Sequence, residues 1–498
     1  MVKKRITRRD FLRLSAVGAT EAILAACAPT TPVVVEKVVK ETVVVEKEVP
    51  VEKVVEKPVE KVVEKVVEKP VEKIVEKLVK PAEIVWTSWA TDTQGMFRVE
   101  AQADRFREKH PEIVVHIRNV GSAGYRERLL TALAGGAGPD VYRICGGDEL
   151  PFWAAGQCEL LDPWLEKQTD SWFWTDDPIK EVYDGHRIRG QLWFMPMALD
   201  IQAFNINKTL FKESGVSLPP MSYRDPAYQE EWTYDQYLET AIALTKLAAD
   251  GTPIQFGSNV DPGHYWLHNI IVSKTGHFWM SQDGSKWLGA DPDVTEAIQW
   301  LADVRLVHKA APTPEQAKGG AFDYVAGRLA LEWTYAGWLC YGKKEVGDRF
   351  DWDAAPLPHW GDGKPGLVHE PCVWVMNPYS KDKEATWTFF HWLCGPEGER
   401  VGVELAWCAP LHRSNAPYYG KEVPPDKNKG LLLESVEIGS TWYPWLANPK
   451  FYEVWELTMS PALDEVFIGT KTAAEAMAEI KPECEKLLLE GMKVWEKA

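Results

Sequence analysis

Tryptophan is the residue type with the most to say about chemistry: the chain holds 24, all beyond residue 83. An indole offers a broad apolar face and a single N–H donor, a combination that stacks on the C–H face of a sugar ring and still bonds a hydroxyl. Core packing competes for every one of them, so position decides. Trp89, Trp266, Trp338 and Trp445 follow strand ends or sit in Gly/Pro-rich stretches and are the candidates to touch a solute. Ser88 beside Trp89, Tyr335 near Trp338, and Asp200, Arg143, His264, Glu370 and Arg413 add groups able to pair with hydroxyls; each of the charged ones fits a solvated or salt-bridged role as well. Bond-breaking motifs are missing: HExxH, CxxC and GxSxG do not occur. No catalytic residue, metal ligand or cofactor is therefore expected. Gly337–Lys343 has the GxxxxGK spacing of a phosphate loop, but Lys344 replaces the Ser or Thr that would hold magnesium. The bulky Trp338, Leu339 and Tyr341 also suit a cradle of amides poorly, so the match reads as coincidence. Seven cysteines remain beyond Cys27, an odd number that leaves at least one free thiol; a Cys145–Cys158 bridge is one option that no spacing supports.

The elements that would position these residues start at Glu83. Glu83–Trp89 reads as a strand ending in hydroxyls and an indole, Met96–Lys109 as a helix stopped by His110-Pro111, and Ile113–Ile117 as an alternating strand. A helix through Tyr125, Leu129, Leu130 and Leu133 closes on a glycine-rich turn, and Pro139–Ile144 is a third strand. This βαβαβ order predicts a parallel sheet, with ligands beyond the carboxyl ends of its strands. The stretch Leu192–Phe211 meets Pro196, which cannot donate to a ladder, and so reads as a crossing into a second lobe. There Thr233–Leu247 is a helix with a Thr233 cap, Gly257–Trp266 a loop, Val294–Val307 a helix, Leu329–Trp333 a strand, and Thr334–Trp338 a turn. The chain returns to the first lobe near Pro356–Val375 and leaves again after Pro410.

The formal charge of −17 is uneven. Residues 1–27 carry six basic and two acidic side chains, and 28–82 carry eleven Glu against eleven Lys, so the remaining chain holds a net −21. So acidic a body repels phosphate backbones, and nucleic acid is excluded as a partner. Thr7-Arg8-Arg9-Asp10-Phe11-Leu12 looks like a twin-arginine export signal, and Leu24-Ala25-Ala26-Cys27 resembles a lipobox that would make Cys27 a lipidated residue. Residues 28–82 form a tether in which VEK repeats with a period of four. Pro50, Pro58 and Pro70, with like charges at i,i+4, predict an extended or partly helical spacer rather than a coiled coil.

Taken in order, the WTSW strand end, the run Y-x3-LLTALAGGAGPDV, the GQLWFMP crossing, Trp232-Thr233-Tyr234-Asp235, and Ala321-Phe322 through Gly337-Trp338 are similar to the extracellular solute-binding proteins of family 1, carbohydrate-type receptors of ABC importers. Leu367-Val368-His369-Glu370-Pro371 departs from that family, where a glycine pair often precedes the late strand. The resemblance implies a two-lobed α/β, periplasmic-binding-protein-like fold, each lobe a mostly parallel sheet flanked by helices, with several hinge crossings. Lobe 1 would comprise 83–199 and 357–411, and lobe 2 would comprise 200–356 and 412–498. It further implies a monomeric receptor outside the cytoplasm, not an enzyme, held to the membrane by its lipid and passing a mono- or oligosaccharide to permease subunits. A surface stalk, or a glycoside hydrolase using two carboxylates about 5–9.5 Å apart, are the competing readings.

Overall fold

The computed structural model describes residues 33–38, 74–79 and 81–497 apart from 89–94, 122, 198–201, 261–262, 336–337, 362, 369–371 and 440–442, with the backbone alone at 33–38, 74–79, 264–265, 335, 338, 340–341 and 497. The chain divides into two compact units, Met1–Ala82 with His110–Val114, and Glu83–Lys109 with Val115–Ala498. Cys27 and the export signal lie outside the described residues. In the first unit β1 (Val33–Val38) pairs antiparallel with β2 (Ile74–Val79), Val33 opposite Val79. These two segments near the ends of the predicted spacer are thus extended and paired, and VVVEKV and IVEKLV are rich in β-branched residues.

From Ala82 the chain runs through β3 (Ala82–Ser88), α1 (Met96–Lys109), β4 (Ile113–Asn119), α2 (Tyr125–Ala134) and β5 (Val141–Ile144), the expected βαβαβ order. A short helix α3 (Glu149–Ala154) and a hairpin of β6 (Arg187–Ile188) and β7 (Gln191–Leu192) lead to β8 (Met195–Pro196). Then come β9 (Gln202–Asn207), α4 (Tyr234–Leu244), β10 (Lys246–Leu247), β11 (Pro253–Ser258), α5 (His264–Thr275), α6 (Pro292–Leu306), β12 (Leu329–Tyr335), α7 (Trp338–Glu345) and β13 (Trp352–Ala355). After β14 (Val373–Met376), α8 (Lys383–Cys394) and α9 (Pro396–Glu404), the chain ends in α10 (Ser460–Phe467) and α11 (Ala473–Lys497).

Two five-stranded sheets result, ordered β4-β3-β5-β14-β8 and β10-β11-β12-β9-β13. Because β8 and β9 belong to different sheets, as do β13 and β14, the chain passes from one lobe to the other between β8 and β9 and back between β13 and β14. Pro196 sits on the edge strand β8, where its missing N–H costs no central ladder bond. Every residue of β5, β9, β13 and β14 is buried, as expected of strands covered by helices on both faces. The sheets are mixed rather than mostly parallel: β3/β5 and β11/β12 are parallel, but β14 runs against β5, and β9 against both β12 and β13. A strand entering from the other lobe takes its direction from the crossing, not from a right-handed βαβ return.

Thr233 caps α4 through a capping box, its hydroxyl accepting from the Gln236 N–H at 3.3 Å while Gln236 Oε1 accepts from the Thr233 N–H at 2.9 Å. Two local expectations are corrected. The stretch ending at Trp266 is not all loop, since Pro253–Ser258 is a strand and α5 begins at His264. Gly263, extended at ψ 147°, sets the chain's entry, and Leu267, Ile270 and Ile271 give α5 an apolar face. Likewise β12 runs on to Tyr335 and α7 starts at Trp338, so GWLCYGK is largely helix and forms no phosphate cradle. The cysteine pairing is corrected too: Cys145 bridges Cys372, and Cys158 is a buried free thiol. The register explains it, because Ile144 lies opposite Val373 and places the next residue of one strand opposite the preceding residue of the other. Among the described residues no helix is long and apolar enough to cross a membrane.

Candidate functional site

The carboxyl ends of β3 and β5 gather polar groups that the core cannot use. Thr87 and Ser88 end β3, both buried, and neither hydroxyl bonds a described residue. On β5 the Arg143 guanidinium is buried beside the Cys145–Cys372 bridge and 5.7 Å from the Trp407 ring, while Tyr125 Oη donates to its carbonyl at 2.8 Å. Gly147 follows at φ +87°; a Cβ there would fall 2.9 Å from the Phe451 ring, so glycine alone lets this turn press against the C-terminal segment.

That approach brings the two lobes into contact. Arg126, on the first turn of α2, donates to Asp148 Oδ1 at 2.5 Å and lies 3.9 Å over the ring of Tyr452. Tyr452 belongs to a C-terminal segment that shares the second lobe's core through Trp445, Phe451, Val454 and Trp455. Burial lifts the Asp148 carboxyl to about 6, with Arg126 pulling the other way. Next to it Tyr443 stacks on His186 at 4.5 Å and on Trp445 at 5.4 Å. Burial pushes His186 down to about 3, so the imidazole is neutral at physiological pH. Tyr443 Oη, Trp445 Nε1 and both His186 ring nitrogens are buried and bond no described residue. An aromatic and charged seam with spare donors suits a polyhydroxylated solute, which offers both C–H faces and acceptors.

Of the candidates named from sequence, Arg143 and Trp445 flank the Cys145–Gly147 turn, and Ser88 ends β3, the strand beside β5. Trp266 does not join them: it is buried in the second lobe's core, its ring 6.2 Å from that of Trp333. Arg413 is exposed on the segment after α9, its N–H bonded to the Asp177 carbonyl at 2.9 Å. His264, Tyr335 and Trp338 are placed by backbone only, at the start of α5, the end of β12 and the start of α7. Trp89, Asp200 and Glu370 lie outside the described residues. Sequence reasoning passed over Arg126, Asp148, His186, Tyr443 and Tyr452. The Gly146-Gly147 pair beyond the third strand was a usable signal for Asp148, whereas Tyr452, inside an apolar helical run, carried none.

Comparison with known proteins agrees with this architecture. The family described as "Bacterial extracellular solute-binding protein" matches residues 90–400. An ABC substrate-binding protein from Listeria monocytogenes, solved in complex with cycloalternan, superposes with a TM-score of 0.70 at 19% identity, covering 82% of this chain and 98% of that one. A solute-binding protein from Thermotoga lettingae bound with α-D-tagatose gives 0.68 at 18% identity, covering 82% and 100%. UgpB from Mycobacterium tuberculosis in complex with glycerophosphocholine gives 0.68 at 16%, covering 82% and 99%. At these identities the likeness establishes the two-lobed periplasmic-binding-protein-like fold. Among curated proteins, a mannitol-binding protein of Pseudomonas aeruginosa is 26% identical over 153 residues, 30% of this chain and 31% of that protein.

Proposed function

Because the chain belongs to the family of bacterial extracellular solute-binding proteins, we propose that it captures a sugar or oligosaccharide between its lobes and delivers it to the permease of an ABC importer. The observation that carries this reading is the seam itself: Arg126 and Asp148 of one lobe meet Tyr452 of the other beside buried, unused donors. A solute touching both walls favours the closed arrangement over the open one, and the links between β8 and β9 and between β13 and β14 supply the hinge. Cycloalternan and α-D-tagatose in the similar structures, and mannitol in the name of the curated relative, support a carbohydrate or polyol cargo. Export by the twin-arginine signal and attachment through lipid on Cys27 would keep the receptor outside the cytoplasm, with the VEK segment as its tether.

The test is thermal unfolding against a panel of mono- and oligosaccharides, polyols, polyamines and short peptides. A ligand at 100 times its Kd adds about 2.7 kcal/mol to stability. We expect a saturable shift with one carbohydrate or polyol class, lost in Tyr452→Ala, which keeps its fold because Tyr452 is only half-buried. A folded protein that shifts with nothing in the panel would favour a surface stalk.

A further inference from the structure

A cavity of about 380 Å³ is lined by residues of both lobes. Phe97 of α1, Leu339, Lys343 and Lys344 of α7, and Leu405 and Val423 of the segment after α9 line it. Phe97 is the second residue of the helix that follows β3, and Leu339 the second of the helix that follows β12. The cavity therefore sits beyond the carboxyl ends of one strand from each sheet, where open α/β sheets take ligands. Its volume falls within the range of about 300–1,000 Å³ usual for small-molecule sites.

Two exposed lysines on its α7 side give the cavity positive charge. Neither Lys343 nor Lys344 forms an ion pair with a described carboxylate. Lys343 Nζ donates to the Glu422 carbonyl at 3.3 Å, and Lys344 Nζ lies 5.7 Å from the centre of the Phe97 ring. The Glu422 side chain also borders the cavity without engaging either ammonium. A lining of apolar side chains and two ammoniums that no described carboxylate neutralises matches a sugar ring that carries an anionic group.

We propose that this cavity is a subsite for an anionic substituent, a carboxylate or a phosphate, so that the solute is an acidic carbohydrate rather than an uncharged one. This rests on the sugar-receptor reading above and names the class of sugar. An occupant would contact α1 of one lobe and α7 of the other, and so would stabilise closure.

The experiment is calorimetric titration of the full chain with oligogalacturonates, the matching neutral galacto-oligosaccharides and hexose phosphates, at low and high salt, for the wild type and for Lys343→Gln/Lys344→Gln. The expected result is that one acidic series binds more tightly than its neutral counterpart by about tenfold or more. That margin should shrink at high salt and vanish in the double variant, whose unfolding temperature and affinity for neutral sugars stay unchanged. A carboxylate source and a phosphate source are told apart by which acidic series shows the margin. Neutral sugars binding as well as acidic ones, or a margin that survives the double substitution, overturns this inference and leaves the sugar receptor standing. No binding of any carbohydrate overturns both.

Discussion

His186 shows how a single residue at the seam couples its surroundings to stability. Its ring is buried against Tyr443, and burial holds its pKa near 3, against about 6.5 in the unfolded chain. Below pH 6.5 the unfolded state binds a proton that the folded state refuses, so stability is lost as pH falls from about 6.5 towards 3, by roughly 1.4 kcal/mol per pH unit. Replacing His186 with Phe keeps an aromatic ring against Tyr443 and removes the titration. Denaturant unfolding of His186→Phe and the wild type between pH 7 and pH 4 should give stabilities that diverge in favour of the variant as the medium becomes acidic. Parallel curves would mean that this imidazole is reached by protons in the folded protein.

Among the elements, the Cys145–Cys372 bridge has the widest reach. It joins the carboxyl end of β5 to the start of β14, where the second crossing re-enters the first lobe, and the adjacent edge strand β8 pairs with β14 at Val373 and Trp374. Both crossings are thereby anchored at one point of the first sheet. The bridge closes a loop with a sequence separation of 227, for which chain-entropy arguments predict a stabilisation of roughly 5 kcal/mol. Cys145→Ser/Cys372→Ser should unfold at correspondingly lower denaturant, and a reductant should destabilise the wild type but leave the double variant unmoved. An equal response of both proteins to reductant would show that the bridge is not formed in solution. Helix α7 has a different importance: its start after β12 fixes Leu339, Lys343 and Lys344 opposite Phe97, which a turn in that place would not do.

At the scale of the whole molecule, two lobes joined by several crossings should respond to a ligand as near-rigid bodies. Spin labels at Glu108 on α1 and Asp293 on α6, both exposed, would report the separation of the lobes. A saturating ligand should shift the distance distribution to one shorter or narrower population. An unchanged distribution under ligand that demonstrably binds would rule out hinge closure. The four described free cysteines are all buried, which leaves the introduced positions as the accessible labelling sites among the described residues.

Much of the architecture is legible in the chain because it depends on local pattern. The βαβαβ opening, the Thr233 cap and the crossing at Pro196 follow from periodicity, turn chemistry and a missing N–H, all of which act over a few residues. The ordered motifs from the WTSW strand end to Gly337-Trp338 also pointed to the solute-binding family, whose model matches residues 90–400. What the sequence by itself could not decide is which indole faces a partner and which fills a core. Trp266 and Trp445 look alike in sequence, yet one packs on Trp333 in the second lobe and the other backs the Gly147 turn at the seam. Nor could it pair Cys145 with Cys372, or set Arg126 over Tyr452, contacts between residues hundreds of positions apart. Those were decided by strand register and by how the lobes meet, because burial and long-range contact are properties of the packed chain and leave no mark on the spacing of neighbouring residues.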